Sequence, residues 1–88
     1  MNQDAFSSDS IPVLIPELGV EDATITFLMW MVPNGAQVIP GERIAELLMQ
    51  GVVFTLDADA EGTLIERPGL TGETVTVGQS IGEIRPAE

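Results

Sequence analysis

The sequence predicts an all-β domain made of two similar halves, and two observations carry that prediction. The first is a repeat. Gly35-x-x-Val38-x-x-Gly41-x-x-Ile44-x-Glu46-Leu47 returns 37 residues later as Gly72-x-x-Val75-x-x-Gly78-x-x-Ile81-x-Glu83-Ile84, and the same offset pairs Thr26 with Thr63. Glycines, β-branched residues and register agree along the whole phrase, which constrains the fold more tightly than propensity does. The second is punctuation: short apolar runs are broken by glycine, proline and asparagine at close intervals. Two halves in 88 residues are too few for a solenoid and make one small pseudo-symmetric domain.

Taken in order, residues 1–10 are polar and rich in Ser and Asp, as expected of a mobile tail, and show neither the basic region nor the apolar run of a secretory signal. The domain is expected over 11–85, with 86–88 as a short C-terminal tail. No linker or catalytic domain follows Arg85-Pro86-Ala87-Glu88, as expected of a freestanding module. Strands are predicted near 11–16, 24–32, 43–49, 52–57, 62–67 and 81–85, with two short ones near 37–39 and 74–77. The breaks between them are Pro33-Asn34-Gly35, Pro40-Gly41, Gln50-Gly51, Pro68-Gly69 and Thr71-Gly72. Ala45-Glu46-Leu47-Leu48-Met49 is helix-friendly but short and flanked by glycines, so no helical period competes. Gly35, Gly72, Gly41 and Gly78 fit tight turns that need positive φ before strands. A turn–strand unit used twice gives two similar antiparallel sheets packed face to face. The two-residue break Gln50-Gly51 predicts a hairpin in which Met49 faces Val52, Leu48 faces Val53 and Leu47 faces Phe54. Alternation then sends Leu47, Met49, Val52, Phe54 and Leu56 to one side, and Leu48, Val53 and Thr55 to the other. Trp30 and Phe54 are expected in the core, with the indole N–H in need of a partner.

Composition excludes much chemistry. Cysteine, histidine and tyrosine are absent, and all three cations are arginines (Arg43, Arg67, Arg85), so lysine is absent too. No disulfide or thiolate metal site exists, which suits a reducing compartment such as the cytoplasm. The commonest general base and the phenolic acid are missing, and Ser7, Ser8, Ser10 and Ser80 have no base to activate them. No catalytic residue, cofactor or metal site is expected, and the chain is not expected to be an enzyme. Fourteen acids against three arginines give a net charge of −11, which repels nucleic acid and anionic membranes. The same charge serves solubility or draws a basic protein partner. No stretch approaches the roughly 20 apolar residues a membrane helix needs.

These residues resemble the biotinyl/lipoyl attachment domain family, and the lipoyl domains of 2-oxoacid dehydrogenase acyltransferases most of all. Pro16-Glu17-Leu18-Gly19 is similar to the family's opening Pro-x-Leu-Gly, and Trp30 stands where lipoyl domains often carry tryptophan. Gly35-x-x-Val38-x-x-Gly41 matches the turn before the hairpin, Glu46 begins the hairpin strand, and Ala60-Glu61-Gly62-Thr63 resembles the motif leading out of it, without a gap. The resemblance covers 11–85. It implies a barrel-sandwich hybrid, a flattened β-barrel of two four-stranded antiparallel sheets with pseudo-twofold symmetry. It also implies a hairpin-tip lysine whose ε-amine forms an amide with lipoate or biotin.

In register, that lysine position is Gly51. Attachment needs a nucleophilic amine on an exposed turn; glycine offers none, Gln50 is an amide, and no neighbouring lysine can take its place. An engineered replacement of the lysine is the alternative reading, but the flanks depart as well, since lipoyl domains favour Asp before the lysine and biotinyl domains Met on both sides. Asp57, Asp59 and Glu61 follow the hairpin where the family has prolines or small residues. On a strand they would project to one face, either as a solvated surface or as a weak Ca²⁺ or Mg²⁺ site.

The outward positions point toward binding. Leu48 opposite Val53, with Met29 and Leu14 similarly placed, would leave on the order of 100–200 Å² of apolar surface in water. Covering it is worth a few kcal/mol at about 25 cal/mol per Å². Either a protein partner or a second copy covers the hairpin face, or the N-terminal tail folds over it through Phe6 and Ile11, or the register is shifted by one. The expected interaction residues are Leu48, Gln50, Gly51, Val53 and Met29. The resulting expectation is a non-carrier protein-interaction or assembly module. The alternative is a member of the carrier class by descent, tied to a 2-oxoacid dehydrogenase or biotin-dependent system as a decoy or regulatory domain.

Overall fold

A computed structural model describes residues 10–87 of the chain. Eight strands follow in order: β1 (Ile11–Leu14), β2 (Ile25–Trp30), β3 (Gln37–Val38), β4 (Arg43–Met49), β5 (Val52–Asp57), β6 (Gly62–Glu66), β7 (Thr74–Val75) and β8 (Ser80–Arg85). They form two four-stranded antiparallel sheets, ordered β1-β8-β6-β3 and β5-β4-β2-β7. The two sheets do not close, and the fold is the expected flattened barrel-sandwich. Each expected strand is present, most of them trimmed at the ends. Residues 1–9 of the expected tail, and with them Phe6, lie outside the described residues.

The repeat is visible as a symmetry of the sheets. Exchanging β1 with β5, β2 with β6, β3 with β7 and β4 with β8 turns one strand order into the other. The turns obey the same rule. Gly35 and Gly72 have φ of 91° and 85°, and Gly41 and Gly78 have 88° and 86°, a region that L side chains reach only at a cost. The Gly35 N–H donates to the Leu64 carbonyl at 2.8 Å, and the Gly72 N–H donates to the Phe27 carbonyl at 2.7 Å. Glu42 Oε1 accepts from the Ile39 N–H and Gln79 Oε1 from the Thr76 N–H, at 3.2 and 3.0 Å.

Between the sheets lies one apolar core that includes Ile15, Ile25, Phe27, Val38, Ile44, Leu47, Leu64, Val75, Ile81 and Ile84. Symmetry partners fill matching places: Phe27 with Leu64, Val38 with Val75, Ile44 with Ile81, and Leu47 with Ile84 are all fully buried. Trp30 and Phe54 are only half-buried and pack on the margin of this core. The Trp30 ring lies 5.0 Å from that of Phe27, tilted by 57°, within the usual range for an aromatic pair.

Candidate functional site

The tip of the β4–β5 hairpin is a two-residue turn in which Gln50 and Gly51 both have positive φ, 54° and 79°. That is the type I′ geometry, whose twist matches the flanking strands. Met49 faces Val52, Leu48 faces Val53 and Leu47 faces Phe54, as the turn length predicts. A Cβ at Gly51 would meet nothing within 4 Å among the described residues. Val52 was expected on the inner side with Met49. It is 52% exposed while Met49 opposite is 3% exposed, because β5 is the edge strand of its sheet and β4 lies inside it.

Cross-strand pairing lays out the outer face of the sheet that carries the hairpin. Thr74, Thr26, Leu48 and Val53 make one row across β7, β2, β4 and β5. Met29, Glu46 and Thr55 make the next. A bulge between Phe27 and Met29 inserts one residue into β2. Phe27 points into the core, so Leu28 points outward, and the bulge leaves Met29 outward as well. Leu28, Met29, Leu48 and Val53 thus share a face bordered by Thr26, Thr55 and Glu46. Met29 and Val53 are 48% and 53% exposed, while Leu28 and Leu48 are half-buried.

The other half of the molecule shows the equivalent positions with a more polar row. Symmetry puts Arg85 where Leu48 stands, Thr63 where Thr26 stands and Glu83 where Glu46 stands. There the row reads Gln37, Thr63, Arg85, with Gln37 Nε2 donating to Thr63 Oγ1 at 2.6 Å and Arg85 paired with Glu83. The two outer faces therefore differ at Leu48 and Arg85, while Met29 is answered by the equally apolar Ile65 opposite Glu83. Leu14, at 45% exposed, lies on β1 of the other sheet and does not join the Leu48–Val53 surface.

Asp57, Asp59 and Glu61 do not share a strand face. β5 ends at Asp57, and Asp59 and Glu61 lie in the bend that follows. Among the described residues no group of three or more acids is placed to hold a metal ion. Trp30 Nε1 and Glu66 Oε2 are buried without a hydrogen-bond partner among the described residues. They are symmetry partners once the bulge is counted, since Trp30 faces Ala45 and Glu66 faces Gly82. Burial raises the Glu66 carboxyl above its ordinary value. No helix among the described residues is long and apolar enough to cross a membrane.

A covalently attached acyl group does not fit the residues at the tip. Gly51 has no side chain, Gln50 offers an amide, and the chain contains no lysine. No family model matches the sequence. Over 75 residues, 85% of this chain, it is 32% identical to the dihydrolipoyllysine-residue succinyltransferase component of the 2-oxoglutarate dehydrogenase complex from Rickettsia typhi. It is 29% identical over the same length to the protein of that description from Rickettsia felis. The chain spans about a fifth, 19%, of the length of these relatives. The similarity supports a lipoyl-domain-like relationship over most of the chain.

Proposed function

We propose that this chain is a lipoyl-like domain that bears neither lipoate nor biotin and serves as a non-catalytic protein-interaction or assembly module in the cytoplasm. The observation that carries the reading is the absence of any lysine, with Gly51 at the hairpin apex where the resemblance to lipoyl domains would put the attachment residue. An amide cannot form at a carbon with no amine. The face beside the apex supports the second half of the reading. Leu48 stands where the symmetry-related sheet has Arg85, and Met29 and Val53 extend the apolar surface beside it. Gln50 and Gly51 form the rim of the surface a partner protein, or a second copy, would cover.

The test of the first half is intact-mass measurement after incubation with lipoate ligase or biotin ligase, ATP and the acid. The expected result is an unchanged mass; an adduct on the parent chain sinks the reading. A second reading keeps the chain tied to the machinery of its relatives. They are components of a 2-oxoacid dehydrogenase complex, and a lysine-free domain that retains their scaffold would act there as a decoy or regulator. Adding the chain in excess to an assembled 2-oxoglutarate dehydrogenase complex would then slow its turnover. Turnover that is indifferent to the chain at every concentration favours the module reading alone.

A further inference from the structure

We infer that the free edge of β5 is a strand-addition site that takes an extended, basic segment of a partner protein. The inference rests on the interaction reading above and specifies how the partner docks.

The two sheets have four edges: β1, β3, β5 and β7. Exposed edges invite pairing with other chains, and proteins blunt them with short strands, proline and bulges. Three edges here are blunted. β3 and β7 have two residues each. β1 has four and includes Pro12; the register shift in its pairing with β8 recurs in the pairing of β5 with β4 and does not tell the two edges apart. β5, the symmetry partner of β1, has six residues and no proline. The same scaffold position is therefore closed in one half and open in the other.

The hairpin fixes which groups face outward. A two-residue turn makes Met49 and Val52 a hydrogen-bonded pair, and bonded and non-bonded pairs alternate from there. The N–H and C=O of Val53 and Thr55 consequently point away from β4, and those of Asp57 continue the row. None of the three has a turn or loop backbone partner among the described residues, and all three are exposed. Side chains add a second layer of selection. Val53, Thr55 and Asp57 lie on the outer face, while Phe54 and Leu56 are half-buried beneath. An added antiparallel strand would set a residue directly opposite each of these, at the distance where cross-strand pairs interact.

Charge decides the occupant. Asp57 ends the edge, Asp59 and Glu61 follow it, and Glu46 lies one strand in beside Thr55. Arg43 is across from Asp57 on β4, and no other cation is placed on this strand pair. A segment with Lys or Arg opposite Asp57 and β-branched residues opposite Val53 and Thr55 complements all three positions. A second copy does not: joining β5 to β5 brings together two chains of net charge −11 and supplies no cation to Asp59 or Glu61.

The test uses the parent chain and a capped peptide, Arg-Val-Thr-Val-Thr-Lys, followed by amide hydrogen exchange. The expected result is about tenfold or greater slowing at Val53, Thr55 and Asp57, with little change at Val52, Phe54 and Leu56, which already bond to β4. The same peptide with Glu in place of Arg and Lys should bind at least about tenfold more weakly. Thr55→Pro, which removes an outward N–H and no ladder bond, should abolish binding while leaving the fold intact. Unprotected edge amides overturn the inference, as does protection of those amides by self-association without peptide. If Leu48→Asp abolishes binding while Thr55→Pro does not, the edge fails and the interaction reading stands.

Discussion

Placing a lysine at the hairpin apex tests both the turn geometry and the proposal that the chain carries no acyl group. In Gly51→Lys the new Cβ meets no atom within 4 Å, so packing neither opposes nor rewards the change. What remains is the backbone. Gly51 sits at φ 79° directly after Gln50 at 54°, and holding an L side chain in that region costs about 1–2 kcal/mol. For a domain of this size each kcal/mol lowers Tm by about 4–8 °C. Thermal unfolding followed by the fluorescence of Trp30, the chain's one tryptophan, should therefore show a fall of roughly 4–16 °C. Gly51→Ala should fall similarly without the added charge, and Gly51→Asn by less, because Asn tolerates left-handed φ better. A Gly51→Ala variant as stable as the parent would show that the turn does not hold Gly51 at positive φ. The hairpin register, and with it the Leu48–Val53 face, would then be wrong. The lysine variant also has its only side-chain amine at the apex, so ligase-dependent mass gain in it and none in the parent isolates the missing amine as the cause.

Other substitutions probe the remaining features. Leu48→Asp with Val53→Asp should shift sedimentation to smaller species or abolish partner capture; an already monomeric profile with no partner in pull-down counts against the interaction face. Gly82→Ala drives a Cβ into the Ile65 carbonyl oxygen, and forcing the strands apart should cost about 2–3 kcal/mol, read as a lower denaturation midpoint. A loss near zero would mean that β6 and β8 are not so closely apposed. Leu64→Ala, at a fully buried core position, should cost about 2–5 kcal/mol in chemical denaturation; a smaller loss would mean the site collapses freely. Glu66→Gln should follow pH. The folded-state pKa of Glu66 is raised from 4.5 by burial, so ionisation opposes folding. The variant should be more stable than the parent above that raised pKa, with the advantage shrinking as pH falls through it and gone below the unfolded value. A gap that widens on acidification contradicts the assignment.

The fold was legible because the strongest signals sat at backbone positions where few residues substitute. Gly35 and Gly72, or Gly41 and Gly78, are needed for the same φ in both halves, so the repeat carried geometry and not only composition. The hairpin was equally legible, since a two-residue break fixes its register. The bulge in β2 was not. It adds Leu28 before Met29, but the following connection is one residue shorter, from Trp30 to Gly35 against Glu66 to Gly72. The offset returns to 37 and the insertion leaves no trace in spacing. Leu28 was therefore missing from the expected surface. The exposure of Val52 on the edge strand and the marginal burial of Trp30 and Phe54 escaped for another reason. Alternation states which side of a sheet a residue faces, not how far the opposing sheet extends to cover it.

The symmetry turns those differences into an argument about function. Had both halves been shaped by stability alone, the same pressures would act on equivalent positions, and the core pairs Val38 with Val75 and Ile44 with Ile81 behave in that way. The surface pairs do not. Leu48 answers Arg85, and the unblocked six-residue β5 answers the four-residue, proline-containing β1. These asymmetries converge on one sheet and one end of it. The docking proposed for this chain would use those positions: Leu48 on the outer face and the outward backbone of β5 beside the apex.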